Sequence, residues 1–262
     1  MIPKKIHYCW FGGNPKPRLA QKCIKSWKRF CPDYEIKEWN EDNYDISQAP
    51  LYVRQAYEAK KWAFVTDYVR LDVVFREGGI YLDTDVEIIR SPDFLLENHA
   101  YFGFEVPERV NTGLGFGAEI AAPVVKKMQE IYGDIPFLLK DGSYDQTPCP
   151  ERNTSVLEQF GLIADGTYQT LKENIIILPA DYLCPVDYET GICKKTEHTV
   201  SIHWFSGSWQ SKKEIRVKKA YARELYIRNI LFQITRLPNK IGTGVFGEER
   251  YIKIRRFIKG HD

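Results

Sequence analysis

The chain has 262 residues, of which 44% are hydrophobic, and its 37 basic and 35 acidic residues leave a net charge of only +2. This composition suits one large folded domain and excludes a disordered or strongly polyionic protein. No stretch approaches the roughly 20 apolar residues of a membrane span, and the start of the chain lacks the apolar segment of a signal peptide, so we expect a cytoplasmic protein. The six cysteines form no CxxC pair, which favours free thiols.

Strands and helices alternate in the first third of the chain. The apolar pattern predicts a strand over 5–10, a helix over 19–30, a second strand over 34–39 and one long helix that runs from residue 50 to Glu77 and ends at Gly78. This order predicts an α/β fold with a mainly parallel sheet, whose ligands gather at the carboxyl ends of the strands. Trp10 and Asp83 should then face the same crevice.

The long helix carries an acid and a base on an otherwise apolar face. Ala63, Asp67, Arg70 and Val74 follow one another at steps of three or four, so they share one side of the helix. Because this face leads directly into the next strand, the charged pair indicates part of a site. The alternative is an ion pair between Asp67 and Arg70 that only stabilises the helix.

The segment GGIYLDTDVE, residues 78–87, is the most informative motif of the chain. Its β-forming residues after a Gly-Gly break predict a short buried strand that delivers Asp83 and Asp85 to its end. Two carboxylates at a strand end suit Mg²⁺ or Mn²⁺, which often hold the phosphates of a substrate. Since Asp-x-Asp is also common in solvated turns, the motif alone leaves both interpretations open.

Four blocks of sequence together resemble the bacterial glycosyltransferase family 32. They are IPKKIHYCWFGG from residue 2, CPDYEIKEWNEDNYD from residue 31, AFVTDYVRL with GGIYLDTDVE from residue 63, and HWFSGSW at 203–209. This family comprises DXD sugar transferases of capsule and exopolysaccharide gene clusters and is distantly similar to the glucosylating domain of the large clostridial toxins. The resemblance implies a GT-A nucleotide-sugar fold over residues 1–211.

The resemblance also implies roles for individual residues. Trp10 matches the tryptophan that stacks on the uracil of the donor, although a core tryptophan is the alternative. Asp67 and Arg70 match an Asp-x-x-Arg that contacts the donor sugar. Asp83 matches the acid that touches the ribose and the water shell of the metal, and Asp85 the direct metal ligand. We therefore expect Asp83, Asp85 and Arg70 to form the catalytic centre.

The closing motif HWFSGSW supplies the remaining candidates of the donor site. His203 is expected to be the third metal ligand, with Ser208 as the alternative, and Trp209 to cover the diphosphate. Asn111 matches a position with a polar contact to donor or acceptor, although an Asn-Thr-Gly turn explains it equally well. The Gly-Pro pair that relatives carry near Glu151 is missing, which leaves the acceptor side open.

These matches imply a retaining enzyme that uses Mn²⁺ or Mg²⁺ to move a hexose or N-acetylhexosamine from a UDP-sugar to a saccharide. The metal stabilises the diphosphate as the bond to the sugar breaks, and no catalytic base is visible. Two other classes stay open, namely a phosphohydrolase of the haloacid dehalogenase type and a module that binds a sugar nucleotide without catalysis. The former normally places its motif in the first strand, whereas about 80 residues precede Asp83 here.

Positive charge is concentrated in residues 212–262, which carry a net charge of +9, while residues 1–211 carry a net charge of −7. We expect this segment to be a helical extension with apolar and basic faces, formed by Ala220, Ile227, Leu231 and Ile234 and by Lys218, Lys219, Arg223 and Arg228. Such a surface fits anionic lipids and a lipid-linked acceptor at the inner face of the plasma membrane. A helix packed on the catalytic domain is the alternative. No recognition motif suggests nucleic acid.

Overall fold

A mixed sheet forms the centre of the protein. The structure, a computed structural model, describes residues 1–188, 190–207, 227 and 247–259. The central sheet has the strand order β2-β1-β3-β7-β5-β9-β8, with β6 paired to β5, and β4 pairs with β10 in a small separate sheet. The strands are β1 (Lys5–Cys9), β2 (Glu35–Trp39), β3 (Gly79–Tyr81), β4 (Val86–Ile88), β5 (Ala100–Val106), β6 (Arg109–Val110), β7 (Phe116–Ala118), β8 (Gln169–Leu171), β9 (Ile175–Leu178) and β10 (Ser201–His203).

Most strands of the central sheet run in one direction. Strand β1 is parallel to β2 and β3, and β5 is parallel to β9. Strand β7 lies between β3 and β5 and is antiparallel to both, so β3 and β5 are parallel to each other. The carboxyl ends of β1, β3, β5 and β9 therefore lie at one edge. This arrangement confirms the predicted α/β fold.

Helices cover both faces of the sheet. They are α1 (Arg18–Phe30), α2 (Leu51–Glu58), α3 (Trp62–Glu77), α4 (Pro123–Glu130), α5 (Cys149–Gln159) and α6 (Ala180–Leu183). A seventh helix, α7 (Glu248–Lys259), follows later in the chain. One apolar cluster contains residues of α2, α3, α4 and α5, and a second contains residues of α1 and α6. Between them the clusters bury large side chains such as Trp27, Tyr52 and Phe102 completely, which is where most of the folding free energy arises.

The long helix predicted from residue 50 to Glu77 is interrupted, and this part of the prediction is wrong. Helix α2 ends at Glu58, Lys60 has a left-handed backbone conformation with φ 55°, and α3 begins at Trp62. The Lys61 N–H donates to the Ala56 carbonyl at 2.9 Å, which closes the turn between the two helices. A lysine in this conformation gives no sequence signal, because glycine is the residue normally expected there.

The end of α3 is the helix end that the sequence predicts. Gly78 has φ 63°, a conformation that glycine adopts without strain, and its N–H donates to the Val74 carbonyl at 2.8 Å. The Gly78 carbonyl in turn accepts a hydrogen bond from His7 Nε2 at 2.8 Å. The chain therefore passes from α3 into β3 without a loop, and α3 and β3 hold their polar residues in fixed positions.

The chain divides into two compact units, of which the first comprises Met1–Val186 and Cys193–Trp209 and the second Asp187–Ile192 and Gln210–Asp262. In the second unit the structure describes Asp187, which accepts hydrogen bonds from the N–H groups of Thr190 and Gly191 at 2.7 and 2.8 Å, and helix α7. The expected boundary after residue 211 and the basic surface over 218–234 lie outside the described residues, apart from Ile227. Within the described part of the chain, no helix is both long and apolar enough to cross a membrane.

Candidate metal and donor site

The site lies where β1 and β3 end. His7 of β1 is level with Tyr81 of β3, and the Leu82 N–H donates to the His7 carbonyl at 3.0 Å. Trp10 follows β1 and Asp83 follows β3 at the same edge of the sheet, because the two strands are parallel. The expected shared crevice is thus consistent with the register of the strands.

Arg70 joins the carboxylates of the helix and of the strand end. Its Nη2 lies 2.9 Å from Asp67 Oδ1 and 3.5 Å from Asp83 Oδ1. Only 4% of the Arg70 side chain is exposed, against 28% of the Asp83 side chain. Tyr81 donates its hydroxyl proton to Asp83 Oδ1 at 3.0 Å. Asp67 and Arg70 do form the ion pair that would only stabilise the helix in the alternative interpretation. Arg70 also contacts Asp83, the first acid of the DXD motif, so the pair belongs to the site as well.

Burial sets the charge state of this group of residues. It raises the pKa of Asp67 and of Asp83, although the positive charge of Arg70 opposes this effect at both carboxyls. For Arg70, burial alone lowers the pKa, but Asp83 and Asp67 outweigh it and raise the pKa well above its usual value. Arg70 therefore remains a fixed positive charge beside the end of β3.

The small sheet of β4 and β10 brings the closing motif to the second acid. His203 lies opposite Val86 in this antiparallel pair, so its side chain is next to Asp85. His203 Nε2 is 3.3 Å from Asp85 Oδ1, and the Ser206 N–H donates to Asp85 Oδ2 at 2.8 Å. The Trp27 indole of α1 also holds β4 in place, because it donates a hydrogen bond to the Val86 carbonyl at 2.7 Å. The segment from His203 to Ser206 thus holds the Asp85 carboxylate directly, and Trp27 of α1 holds the neighbouring Val86.

The charges of Asp85 and His203 depend on each other. Burial raises the pKa of Asp85, but the His203 imidazole and the hydrogen bonds from His203 and Ser206 outweigh burial and lower that pKa. Burial lowers the pKa of His203, and Asp85 reverses this effect, so that the pKa of His203 is well above its usual value. The buried His203 Nδ1 has no hydrogen-bond partner among the described residues.

Asp83, Asp85 and His203 each offer one ligand atom, and these atoms lie within 4.8 Å of one another. Two carboxylate oxygens and an imidazole nitrogen are ligands that Mn²⁺ accepts, and the carboxylates also suit Mg²⁺. Asp83 and Asp85 lie in the short connection between β3 and β4, and His203 comes from β10. The donor set therefore fits the divalent cation that the sequence predicts.

Trp10 is half-buried and held by its neighbours. Its indole Nε1 donates to the Asn14 carbonyl at 2.6 Å, and Lys16 Nζ lies 5.6 Å from the ring centroid. The ring packs against the apolar cluster of α1 and α6 without being fully enclosed. Its environment thus combines features of both alternatives, and stacking on the uracil remains a prediction.

Asn111 lies at the site but also makes a turn. Its side-chain oxygen accepts from the Gly113 N–H at 2.6 Å, which is the interaction of an Asx turn. The Cys149 thiol lies 3.6 Å from the same oxygen and 3.9 Å from Arg70 Nη1. Asn111 is 8% exposed. The turn is therefore present, and a contact with donor or acceptor remains a prediction. Ser208 and Trp209 lie outside the described residues.

Several residues of the site gave no signal in the sequence. A Cβ at Gly113 would lie 2.5 Å from Asp83 Oδ2, 3.0 Å from Asn111 Oδ1 and 3.1 Å from Arg70 Nη1, so any larger residue would displace at least Asp83. Thr112 Oγ1 accepts from Asn153 Nδ2 at 2.9 Å and lies 3.5 Å from Arg70 Nη1. The motif NTG could have indicated a close approach at Gly113, whereas Asn153 lies on a helix 40 residues away along the chain and could not have been found.

Comparison with known proteins agrees with this geometry. Residues 17–102 match a family described as "Glycosyltransferase sugar-binding region containing DXD motif". This segment includes α3, Asp83 and Asp85. The match shows that this part of the chain is similar to a glycosyltransferase sugar-binding region. It also confirms the more specific prediction, a resemblance to DXD glycosyltransferases of the family 32 type.

Two curated relatives match shorter parts of the chain. Subversion of eukaryotic traffic protein A from Legionella pneumophila is 28% identical over 129 residues, which are 39% of this chain and 20% of that protein. Inositol phosphoceramide mannosyltransferase 3 from Schizosaccharomyces pombe is 32% identical over 120 residues, which are 44% of this chain and 33% of that protein. The chain thus spans a third or less of the length of these relatives.

Solved structures overlap with the chain partially. PaToxG glycosyltransferase has a TM-score of 0.46 at 19% identity and covers 60% of this chain and 68% of its own. A glycosyltransferase involved in the glycosylation of the major capsid of PBCV-1 has a TM-score of 0.43 at 14% identity, covering 83% of this chain and 98% of its own. The fold described above rests on the strand order and strand directions of this chain.

Proposed function

We propose that this protein is a metal-dependent, retaining glycosyltransferase that moves a hexose or N-acetylhexosamine from a UDP-sugar to a saccharide acceptor. The observation that supports this most strongly is the convergence of Asp83, Asp85 and His203, whose ligand atoms lie within 4.8 Å of one another at the carboxyl edge of the sheet. A sugar-binding region with a DXD motif and a divalent-cation site are the two parts that such an activity requires.

The cation is Mn²⁺ or Mg²⁺ in this proposal. When bound, it supplies Lewis-acid stabilisation for the charge of the diphosphate leaving group. Asp85 and His203 are the direct ligands, and Asp83 faces the ribose and the water shell of the metal. The Ser206 N–H orients the carboxylate of Asp85, because it donates to the second oxygen at 2.8 Å. Fixed ligands of this kind need no rearrangement when charge develops.

Arg70 has two tasks in the proposed site. It holds Asp83 in place through the 3.5 Å contact, and it adds a fixed positive charge close to the donor. Asp67 compensates part of that charge at 2.9 Å and orients the guanidinium. Since only 4% of the Arg70 side chain is exposed, its field is weakly screened by solvent. The contact of Asp67 and Arg70 with the donor sugar is proposed from the family resemblance.

In this proposal the uridine part of the donor lies beside Trp10. Trp10 stacks on the uracil, a contact worth about 1–3 kcal/mol for an aromatic ring on a base. Asn111 contributes a polar contact to the donor, and Ser208 and Trp209 close over the diphosphate. These assignments follow the resemblance in the motifs around the four residues.

Retention follows from attack on the same face of the sugar that the diphosphate leaves. The oxygen of the acceptor hydroxyl forms a bond to the anomeric carbon, and the bond between that carbon and the phosphate oxygen breaks with its electron pair going to the diphosphate. The proton of the hydroxyl passes to the leaving phosphate oxygen. This path requires no protein base, and it gives an α-linked product from a UDP-α-sugar.

The biological setting is proposed from the family resemblance and from charge. Capsule or exopolysaccharide synthesis in a bacterium provides saccharide acceptors, and a lipid-linked oligosaccharide at the inner face of the plasma membrane suits the net charge of +9 over residues 212–262. In this setting the enzyme is cytoplasmic and peripheral to the membrane.

Release of UDP from a panel of UDP-sugars tests the proposal. The purified full chain is incubated with each donor and Mn²⁺, with and without EDTA, and with GDP-mannose added because one matched relative is named a mannosyltransferase. We expect release from at least one UDP-sugar that stops with EDTA and resumes with excess Mn²⁺. Donor binding without any turnover would instead support the binding module, and hydrolysis of simple phosphate esters would support the phosphohydrolase.

A further inference from the structure

Glu105 lies at an irregular position near the end of β5. Strands β5 and β6 form a hairpin in which Phe104 pairs with Val110 and Val106 pairs with Arg109, so the register shifts between Phe104 and Val106. Glu105 is the residue inside that shift. Bulges of this kind redirect a side chain and are frequent beside active sites.

The end of β5 lies at the same edge of the sheet as Asp83. Strands β3 and β5 are parallel, because β7 between them is antiparallel to both. Two residues before Glu105, Gly103 packs on Leu183, and a Cβ at Gly103 would lie 2.8 Å from that side chain. The Gly103 carbonyl also accepts a hydrogen bond from the Asn111 N–H at 3.1 Å. The backbone beside Glu105 is thus joined to both α6 and the Asn111 turn.

The end of β5 is joined to both sides of the site. The Asn111 turn, which is bonded to Gly103, contacts Cys149, and the Cys149 sulfur lies 3.9 Å from Arg70 Nη1. Leu183, on which Gly103 packs, accepts a hydrogen bond from the Ser201 hydroxyl at 3.4 Å, and Ser201 belongs to β10, the strand that carries His203. The backbone next to Glu105 is therefore connected to the Arg70 side and to the His203 side of the site.

Glu105 has no partner for its carboxylate in the described part of the chain. It is half-buried, yet none of the hydrogen bonds and ion pairs among the described residues involves its side chain. A carboxylate that loses part of its hydration without a hydrogen bond in return destabilises the folded state. Asp67, Asp83 and Asp85, by contrast, all have such partners. An unpaired carboxylate near the end of β5, at the edge of the sheet where Asp83 lies, points to a ligand with hydroxyl donors.

We infer that Glu105 binds the acceptor saccharide by accepting hydrogen bonds from its hydroxyl groups, next to the hydroxyl that attacks the donor. This inference rests on the proposed function, and it assigns a residue to the acceptor side, which the sequence left open. Glu105 takes no proton in this step, because the proton of the attacking hydroxyl passes to the leaving phosphate. Its contribution is to orient the acceptor relative to the anomeric carbon.

The test compares transfer with hydrolysis in one reaction. Wild type, Glu105→Gln, Glu105→Asp and Glu108→Gln are given the donor that wild type uses, Mn²⁺ and a panel of p-nitrophenyl α- and β-glycosides of common hexoses and N-acetylhexosamines. Glycosylated product and free sugar are measured separately. Glu108 is the matched control, because it is an exposed glutamate in the turn of the same hairpin. Thermal unfolding of each variant shows whether it is folded.

The amide of Glu105→Gln accepts a weaker hydrogen bond than the carboxylate. We expect it to raise the KM for the acceptor and to lower the ratio of transfer to hydrolysis about 10- to 100-fold, the equivalent of one lost charged hydrogen bond. Glu105→Asp should recover part of this ratio, and Glu108→Gln should keep the wild-type value.

Three results would overturn the inference. The first is an unchanged ratio in Glu105→Gln, and the second is an equal fall of transfer and hydrolysis, which indicates a role on the donor side. The third is hydrolysis by wild type without transfer to any glycoside, since the acceptor would then not be a simple saccharide. If wild type releases no UDP from any donor, the proposed function itself fails, and that outcome is distinct from the other three.

Discussion

His203 Nε2 lies 3.3 Å from Asp85 Oδ1, although the two residues are 118 positions apart in the chain. The antiparallel pairing of β4 and β10 causes this contact, because it sets His203 opposite Val86. The contact joins the DXD motif to the closing motif and completes the set of three ligand atoms. The proposed metal site therefore depends on a two-stranded sheet outside the central one.

Replacement of His203 by alanine should weaken the proposed metal site. We expect the affinity for Mn²⁺ to fall at least about 10- to 100-fold, because the loss of a residue that only orients a metal ligand already costs this much and His203 is a direct ligand in the proposed site. Titration of Mn²⁺ in the presence of UDP measures this affinity. His198→Ala is the matched control, since 53% of the His198 side chain is exposed. Equal affinity in His203→Ala and wild type would exclude His203 as a ligand.

Replacement of Arg70 by methionine should destabilise the protein strongly. The change leaves the buried Asp67 and the half-buried Asp83 without their cation, and removal of one partner of a buried ion pair such as that of Asp67 costs about 3–5 kcal/mol. Urea unfolding measures the free energy of unfolding. Arg76→Met is the control, because Arg76 pairs with Asp72 at 3.0 Å while 49% exposed, so we expect a loss of no more than about 1 kcal/mol.

A second variant separates the charge effect from lost packing. In Asp67→Asn with Arg70→Met, one of the two unpaired carboxylates is gone, so this double variant should be more stable than Arg70→Met alone. If the double variant is less stable by the sum of both single losses, the charge explanation fails.

Replacement of Gly113 by alanine should impair activity more than stability. The new Cβ would lie 2.5 Å from Asp83 Oδ2, so Asp83 must move. A displacement of about 1 Å in a catalytic group can reduce the rate about 10²-fold. UDP release and thermal unfolding are measured side by side. Gly133→Ala is the control, since its nearest contact would be 3.3 Å from the Glu130 carbonyl oxygen. Full activity of Gly113→Ala would contradict the close packing at Asp83.

His7 should make the stability of the protein depend on pH. Trp39 Nε1 donates to His7 Nδ1 at 3.1 Å, which leaves Nε2 as the donor to the Gly78 carbonyl, so the folded protein requires a neutral ring. Burial lowers the pKa of His7, while the Gly78 carbonyl and Glu77 raise it and Lys5 and Lys37 lower it. The unfolded chain therefore binds the proton more tightly than the folded protein does.

The sign of the effect follows from this difference. The stabilising contribution of neutral His7 is complete above the unfolded pKa of about 6.5 and is lost as the pH falls from there toward the folded pKa. The slope from this one group is at most about 1.4 kcal/mol per pH unit. Free energies of unfolding at pH 7.5 and 5.5 should differ less in His7→Gln than in wild type and in His198→Gln. Equal pH dependence in all three would contradict the assignment.

The sequence predicted the parts of the site that depend on local spacing. Asp67 and Arg70 are three residues apart on one helix, and Asp83 follows the strand that this helix enters, so their proximity is a consequence of helix geometry and of the short connection at Gly78. The order of strands and helices was enough for the fold class. The break at Lys60 was missed because the sequence around it favours a continuous helix.

Residues that depend on distant pairing could not be predicted in the same way. Glu105 is placed by a register shift in a hairpin and by an antiparallel strand between β3 and β5, and neither leaves a pattern in the residues themselves. Asn153 reaches Thr112 from a helix that follows 41 positions later. Here the family resemblance gave the position of Asn111, but only the tertiary structure gives its neighbours.

The central claim is that Asp83, Asp85 and His203 hold a divalent cation. Binding of Mn²⁺ to the full chain in the presence of UDP, measured by electron paramagnetic resonance of the free ion, tests it directly in wild type, Asp85→Asn and Glu87→Gln. Glu87 is a nearby carboxylate that pairs with Lys22 at 2.7 Å and serves as the control. The site described here predicts one bound Mn²⁺ per chain in wild type and in Glu87→Gln, and none in Asp85→Asn. Equal binding by Asp85→Asn and wild type would contradict it, and so would the absence of binding by wild type.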